Sequence, residues 1–512
     1  MRPAALALIL AVFPLMLVSR LRLRDTPLER DEGEYAYAGQ LILQGIPPYT
    51  LACNMKLPGT YAAYAVIMAV FGQTIGGIRL GLLLANAATV LLLYLLGRRL
   101  FSKVAGLAAA AAYALLSFGL AVMGTAAHAT HFVVLPALAG LLLLLRAIES
   151  GRGWTFFWSG VLLGVAFVMK QHGIFFAMFG AGWLAWKHPG GWARTARRLA
   201  IFGAAAALPF ALTCLVLWMS GVFPKFWFWT FHYARAYASE NTIADAIDNL
   251  KEQIPSLLRH NLALWALSAV GLAAAWWKRE SRPSALFLTG FLVFSVLAVC
   301  PGFYFREHYF VLMLPAVALG AGVVAGSLRG WGIWLFAAAL VFSVVSQGHF
   351  LFRETPFEVS RDLYALNPFP EAIPVSDYIR RHSAPGTRIA VLGSEPEIYF
   401  YAHRHSATGY IYTFALSEDQ PYAAQMRDEM IYEVRTAQPE YVVLVDSLDL
   451  WAYRSEGKPT VFSWWGEYGP KHYDVVGIAD IISNDRTEYR WGGAAATYKP
   501  ESDFIVAIYK IR

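Results

Sequence analysis

The chain has 512 residues, 57% of them hydrophobic and only 15% charged, with a mean hydropathy of +0.45. An ordinary soluble domain of this length does not have that balance, so a polytopic membrane protein is expected. A net charge of +7 and a pI near 9.1 would suit a nucleic-acid partner, but the Lys and Arg residues fall mainly in short loops between apolar runs, which membrane topology explains and nucleic-acid binding does not.

In chain order, Arg2 and the apolar run to Val18 look like a signal peptide, but no small-residue cleavage site follows, and an uncleaved first span is expected. Apolar runs at residues 4–18, 78–96, 104–123, 131–145, 154–169, 173–186, 199–221, 262–277, 284–300, 309–325 and 331–350 give about eleven transmembrane helices; most approach the roughly 20 residues that a 30 Å hydrocarbon core requires, and the shorter ones can draw on flanking residues. The segment 60–71 is too short to span with ease and is expected as an interfacial helix. No internal repeat or low-complexity tract is visible.

The loops with Arg98, Arg99 and Lys103, with Arg146 and Arg152, with Lys187, Arg194, Arg197 and Arg198, and with Lys278, Arg279 and Arg282 alternate with loops poorer in basic residues. Placing the basic loops inside puts the N-terminus in the cytoplasm and everything after residue 350 outside. The first loop conflicts, since Arg20, Arg22, Arg24 and Arg30 would then lie outside, where they could meet an anionic lipid head group. From about residue 351 the texture changes to that of a soluble α/β domain, with strands expected at 388–393, 441–445 and 503–511. Residues 1–350 are therefore expected as a membrane domain and residues 351–512 as an extracytoplasmic domain, in a protein of the plasma (inner) membrane. Gly393-Ser394 after the first strand has no phosphate-binding glycine pattern, and no nucleotide is assigned. Cys53, Cys214 and Cys300 lie far apart without metal spacing; only Cys53 and Cys300 fall on one side and could pair.

The first outer loop, residues 19–77, carries Arg30-Asp31-Glu32-Gly33-Glu34-Tyr35 and Lys56-Leu57-Pro58-Gly59. Carboxylates beside a membrane are kept in water or put to use, which makes this loop the candidate active site. Asp31 followed by Glu34, with a glycine stop at Gly45, is also a capping-box pattern for a helix over 34–43. Capping and catalysis both remain open, because a capping carboxylate can still offer its free oxygen to a substrate.

Asp31-Glu32, Tyr35, the turn from Gly45 to Tyr49 and Lys56-Leu57-Pro58-Gly59 before an amphipathic helix resemble the first outer loop of GT-C glycosyltransferases, nearest the protein O-mannosyltransferases and the lipid A aminoarabinose transferases. Lys56-Leu57-Pro58 stands where that family has Lys-Pro-Pro. The resemblance reaches to about residue 350. It implies the GT-C fold and transfer of a hexosyl or pentosyl unit from a polyprenyl-phosphate donor, with inversion, to a protein, lipid or glycan acceptor at the outer face. Asp31 would then deprotonate or orient the acceptor, with Glu32 beside it, while cations stabilise the departing phosphate. No cofactor is required; a divalent metal is compatible but not demanded, because Lys and Arg can neutralise a phosphate.

Lys56, Lys170, Arg306 and His308 sit at outer membrane boundaries and are the candidate phosphate ligands. Each alone could be a snorkelling anchor, but together with the acidic loop they point to a site. The segment from Arg306 through Tyr309 to Leu314-Pro315-Ala316 resembles the family's Arg-Tyr-then-Pro-Ala helix start. Tyr35, Gln171, His172 and Tyr309 are candidate substrate contacts. His128 and His131 lie where the family would have an Asp; they are assigned to substrate binding, with a shared metal as the alternative. The outer loop 222–259 is rich in aromatic residues, and its His232, Tyr233 and Arg235 fit either an interfacial belt or a flap over the lipid-linked sugar. The competing functions are a transporter or flippase of a lipid-linked or anionic solute, against which stands the lack of matched broken helices, and a non-catalytic assembly protein.

Overall fold

The computed structural model of the protein describes residues 3–188, 190–327, 330–418, 420–446 and 460–512. Helix α1 (Pro3–Arg22) is followed by α2 (Arg30–Leu43), α3 (Gly59–Phe71) and α4 (Ile75–Leu100), so the first loop is itself largely helical. By length and apolar character, five helices among the described residues can cross a membrane: Pro3–Arg22, Ile75–Leu100, Ala129–Ser150, Trp192–Met219 and Arg279–Val299. A sixth span arises only if Ile243–Arg259 and Leu262–Trp277, bent by 97°, count as one. The shorter apolar helices Lys103–Leu116, Gly153–Met169, Leu314–Ser327 and Gly332–Ser346, together with Ile174–Lys187, occupy the other expected spans.

Three expected spans are shorter than the apolar runs suggested, and the long helix of the run 331–350 covers only Gly332–Ser346. The helix begun at Lys103 stops at Leu116, and the chain then turns through Met123 in the left-handed region at φ 51°. A Cβ at Gly124 would lie 2.4 Å from the Ser117 carbonyl oxygen, so this turn folds back tightly on the helix end. The run from residue 309 opens instead as a 3₁₀ turn, Glu307–Leu312, and becomes α-helical only at Leu314, with Pro315 in the first turn, where its missing N–H costs nothing. The start of α2 also differs from expectation. Its N-cap is Glu29, whose side chain accepts from the Glu32 N–H at 2.9 Å, so Asp31 is not the cap and its carboxylate is free for other partners.

The C-terminal region builds one six-stranded sheet from β1 (Arg388–Leu392), β2 (His405–Ser406), β3 (Tyr441–Asp446), β4 (Tyr473–Ser483), β5 (Arg486–Trp491) and β6 (Ile505–Ile511), in the order β2-β1-β3-β6-β4-β5. β2, β1 and β3 are parallel, with Ala390 opposite Val442; β6 runs antiparallel to β3 and β4, and β5 antiparallel to β4. The apolar strands β1, β3 and β6 were expected. β2, β4 and β5 were not, because β2 is only His405-Ser406, β4 is interrupted by Gly477 and the fully buried Asp480, and β5 alternates charge with aromatic residues. Asp480 is tolerated because Tyr498 Oη (2.9 Å), the Glu501 N–H (2.7 Å) and Ser502 Oγ (2.6 Å) all donate to it.

This sheet region and the first loop pack as one body. α2 lies against the helix Glu397–Ala402 so closely that a Cβ at Gly33 would stand 2.5 Å from the Glu397 backbone nitrogen. Tyr37 stacks on Tyr399 with ring centroids 5.1 Å apart, and the Cys53 N–H donates to the Gly409 carbonyl at 2.8 Å. The cysteines are free: Cys53 Sγ and Cys300 Sγ donate to the carbonyls of Tyr49 and Val296, which removes the candidate pairing. The first-loop arginines are mostly braces rather than lipid contacts. Arg20 donates to the Ser117 carbonyl and lies 4.5 Å over the Phe118 ring, Arg22 donates to the carbonyls of Phe350 and Glu354, and Arg30 donates to the Ser394 carbonyl at 2.8 Å. Only Arg24 is exposed.

Candidate active site

Successive residues of α2 point in different directions around the helix, and this separates its carboxylates. Asp31 faces a cavity of about 1030 Å³ that is also lined by Tyr35, Lys56, Lys170, Gln171, His172, Arg306, His308 and Tyr309. Lys56 Nζ donates to Asp31 Oδ1 at 2.6 Å. Burial would raise the Asp31 carboxyl, but the Lys56 ammonium outweighs it and holds the group well below the usual carboxylate range. His308 Nε2 lies 3.9 Å from Asp31 Oδ2, and the His308 ring stacks on that of His128 at 4.1 Å. Burial keeps both imidazoles uncharged, His128 at about 3 and His308 well below its ordinary value. Glu29 Oε1 is 3.6 Å from His128 Nδ1, and burial with the neighbouring Asp31 and Glu32 charges pushes the Glu29 carboxyl up from its ordinary value.

The cations differ in how they are compensated. Lys56 is shared between Asp31 and Glu34, the latter at 2.7 Å. Lys170, in the break between Gly153–Met169 and Ile174–Lys187, has its Nζ 3.9 Å over the Tyr309 ring, and Arg306 meets Tyr237 Oη at 3.5 Å and lies 5.3 Å over the Tyr304 ring. Neither makes an ion pair among the described residues. Burial pulls the Lys170 ammonium down to about 7 even against the attraction of Asp31. A cavity with two basic side chains that lack a carboxylate partner among the described residues, beside the Asp31 carboxylate, is arranged to take an anion such as phosphate.

Several expected residues lie elsewhere. Glu32, expected beside Asp31 at the reacting centre, faces away: it is fully buried, paired with Arg79 of α4, and accepts from the Ala127 N–H at 2.6 Å. His131 is buried inside Ala129–Ser150, outside the cavity lining, and does not share a site with His128. Among the described residues, Asp31, His128 and His308 could together hold a metal, their ligand atoms lying within 4.8 Å of one another. His128 has no hydrogen-bond partner on either ring nitrogen among the described residues, which suits a ligand, although Asp31 is already neutralised by Lys56. His232 is exposed against Phe228, while Tyr233 and Arg235 do line the cavity. A π-helical segment, Phe228–Tyr233, turns Tyr233 inward, and its Oη donates to Glu418 at 2.6 Å, tying loop 222–259 to the sheet region. His172 is held by its Nδ1 against the Ala298 carbonyl at 2.6 Å, and Gln171 by the Met55 carbonyl at 2.8 Å.

Residues not singled out from sequence are Glu29, Glu34, Arg79, Tyr412 and Glu418. Arg79 carried a signal, a lone arginine at the start of an apolar span; Glu34 was masked by the capping pattern, and Tyr412 and Glu418 come from a part of the chain without motifs.

A bundle of apolar helices with a polar, cation-bearing cavity, closed by an α/β sheet region, defines an integral membrane protein with a buried polar site. Residues 56–218 match the family described as dolichyl-phosphate-mannose-protein mannosyltransferase. The chain is 33% identical over 242 residues to the undecaprenyl phosphate-alpha-4-amino-4-deoxy-L-arabinose arabinosyl transferase of Pseudomonas aeruginosa, covering 41% of this chain and 40% of that one. It is 29% identical over 288 residues to the protein of the same name from Pseudomonas savastanoi pv. phaseolicola, 51% of this chain and 50% of the other. The match thus spans at most about half the length of these relatives. In fold, the chain is similar to ArnT from Cupriavidus metallidurans in the apo state, with a TM-score of 0.61, 16% identity and 98% coverage of both chains, and to the same protein bound to undecaprenyl phosphate, with a TM-score of 0.59, 17% identity and coverage of 99% and 98%. It is also similar to the archaeal oligosaccharyltransferase AglB from Archaeoglobus fulgidus in complex with an inhibitory peptide and a dolichol-phosphate, with a TM-score of 0.54 and 11% identity over 96% of this chain and 74% of that one. The resemblance to GT-C membrane glycosyltransferases of the mannosyltransferase and aminoarabinose transferase type therefore holds in sequence over part of the chain and in fold over nearly all of it.

Proposed function

We propose that the protein is a glycosyltransferase that moves a sugar from a polyprenyl-phosphate donor to an acceptor at the outer face of the membrane. The observation that carries this reading is the cavity itself, where Asp31 stands against Lys56 while Lys170 and Arg306 have no carboxylate partner among the described residues. The phosphate of the donor occupies the space between Lys170 and Arg306. The acceptor hydroxyl or amine meets Asp31 on the opposite side of the sugar, attacks the anomeric carbon, and displaces the lipid phosphate with inversion. The bond to the phosphate oxygen breaks as its charge is taken up by Lys170 and Arg306. Because Lys56 keeps Asp31 ionised, this carboxylate is a weak base before reaction. It orients the acceptor first and takes its proton late, when the attacking atom has become acidic. A divalent cation, if bound, would be held by Asp31, His128 and His308 and would supply further positive charge within the site. Related membrane transferases named for undecaprenyl phosphate and dolichyl phosphate support the donor class.

The same reading assigns eleven spans to the apolar helices, the N-terminus to the cytoplasm, residues 1–350 to the membrane domain, and residues 351–512 to the outer side of the plasma (inner) membrane. It is tested by incubating the purified protein with radiolabelled polyprenyl-phosphate sugars and scoring transfer and slow donor hydrolysis. Sugar release is expected from at least one donor; a folded, lipid-binding protein that releases none contradicts it.

A further inference from the structure

Lys56 is central to the cavity, but the group that fixes it lies outside. Glu34 is one helical turn beyond Asp31, is 0% exposed, and is not part of the cavity wall. Its carboxylate accepts from Asn54 Nδ2 at 2.7 Å, from Lys56 Nζ at 2.7 Å and from Tyr61 Oη. Asn54 and Tyr61 are themselves buried, so the carboxylate is held by groups that have no other place to go. A lysine ammonium sits on a flexible four-carbon stem and settles where its charge partners are. With Asp31 alone it would follow a carboxylate that is 25% exposed to the cavity; with Glu34 it is also tied to one that is fully buried. The rest of the cage agrees: the Tyr35 ring lies 4.7 Å from Lys56 Nζ, and Tyr49 Oη donates to the Lys56 carbonyl at 2.7 Å.

We infer that Glu34 is a positioning residue of this site, anchoring Lys56 so that Lys56 in turn fixes the carboxylate of Asp31 toward the acceptor. It touches neither substrate nor reacting atoms and acts only through Lys56. A carboxylate needed merely to fill the space could be replaced by Gln, which still accepts from Asn54 and Tyr61 but no longer carries the charge that binds the ammonium. The inference rests on the transferase reading for its catalytic consequence, though not for the placement of Lys56.

The test compares wild type with Glu34→Gln, Glu34→Asp, Lys56→Met and the Glu34→Gln/Lys56→Met double variant, in full-length purified protein. First, acylation of Lys56 by acetic anhydride is followed by mass spectrometry at one fixed pH. Several-fold faster labelling is expected in Glu34→Gln and an intermediate rate in Glu34→Asp; equal rates in wild type and Glu34→Gln overturn the inference. Second, sugar release is measured. Glu34→Gln is expected to lose about tenfold to a hundredfold in kcat, the cost of a misplaced catalytic group, with donor KM unchanged. The double variant is expected to be no slower than Lys56→Met, whereas additive losses would mean that Glu34 acts independently of Lys56. If Glu34→Gln does not fold, Glu34→Asp carries the comparison, with partial labelling and partial kcat expected and wild-type values in both contradicting the inference. A wild type that releases no sugar contradicts the transferase reading, while the labelling arm still decides the role of Glu34.

Discussion

Asp31 and Glu32 are neighbours in sequence, on the same helix, and each is paired with a cation, yet they do different things. Glu32 and Arg79 form a closed pair, both buried, with the spare acceptor of Glu32 filled by the Ala127 N–H. Asp31 and Lys56 form an open pair, 25% and 20% exposed at the side chain, facing a cavity with basic side chains that lack a carboxylate partner among the described residues. The closed pair locks α2 to α4 and to the turn before Ala129–Ser150. The open pair leaves lone pairs and N–H groups available for a ligand. An ion pair alone is therefore no sign of function; what distinguishes the two is whether the remaining hydrogen-bonding capacity is spent inside the protein or offered to the cavity.

The contrast is broken most severely at Asp31. Asp31→Asn keeps the shape but removes the charge that orients the acceptor and takes its proton, and transfer is expected to fall by about 10² to 10⁴, with lipid-phosphate binding retained in a filter or fluorescence assay. On the closed side, Arg79→Met leaves Glu32 buried without its partner. A destabilisation of about 3–5 kcal/mol is expected, read as a lower melting temperature and lower membrane abundance, with little change in the turnover of the protein that remains folded. Lys170→Met and Arg306→Met each remove a charged hydrogen-bond donor, and each is expected to weaken donor binding by roughly ten- to a hundredfold.

The smallest effect is a pH dependence. Lys170 is pulled to about 7 by burial in the free protein, and a bound phosphate would favour its charged form. Binding of the lipid phosphate then takes up a proton above pH 7. Its affinity should be level below pH 7 and should fall above it, by about tenfold per pH unit at most. Titration of binding from pH 6 to 9 checks this, and the slope should vanish in Lys170→Met.

The apolar helices and the apolar strands were legible because long apolar runs and Val/Ile-rich segments declare themselves without reference to the rest of the chain, whereas the number of spans was not. Asp31, Lys56, Lys170, Arg306 and His308, which line one cavity, were named by combining topology with the loop motif. Glu32 was misplaced because spacing gives the direction of a side chain around its helix only when the start of that helix is known, and the cap proved to be Glu29. His131 was misplaced because its span begins two residues earlier, at Ala129, which carries its ring into the bundle. Glu34 was legible as a helix-start residue, but its role depends on Asn54, Lys56 and Tyr61 arriving from beyond a turn, which no local pattern encodes. Tyr412 and Glu418 reach the cavity only through the docking of a sheet region that is distant in sequence, and nothing near them announced it.

The most direct measurement compares sugar release from a radiolabelled polyprenyl-phosphate donor by wild type, Asp31→Asn and Glu32→Gln, each normalised to folded protein and to bound lipid phosphate. Loss of release in Asp31→Asn with lipid binding intact, and turnover preserved per folded molecule in Glu32→Gln, is the expected result. Wild-type release by Asp31→Asn would contradict the assignment of the open pair as the reacting centre.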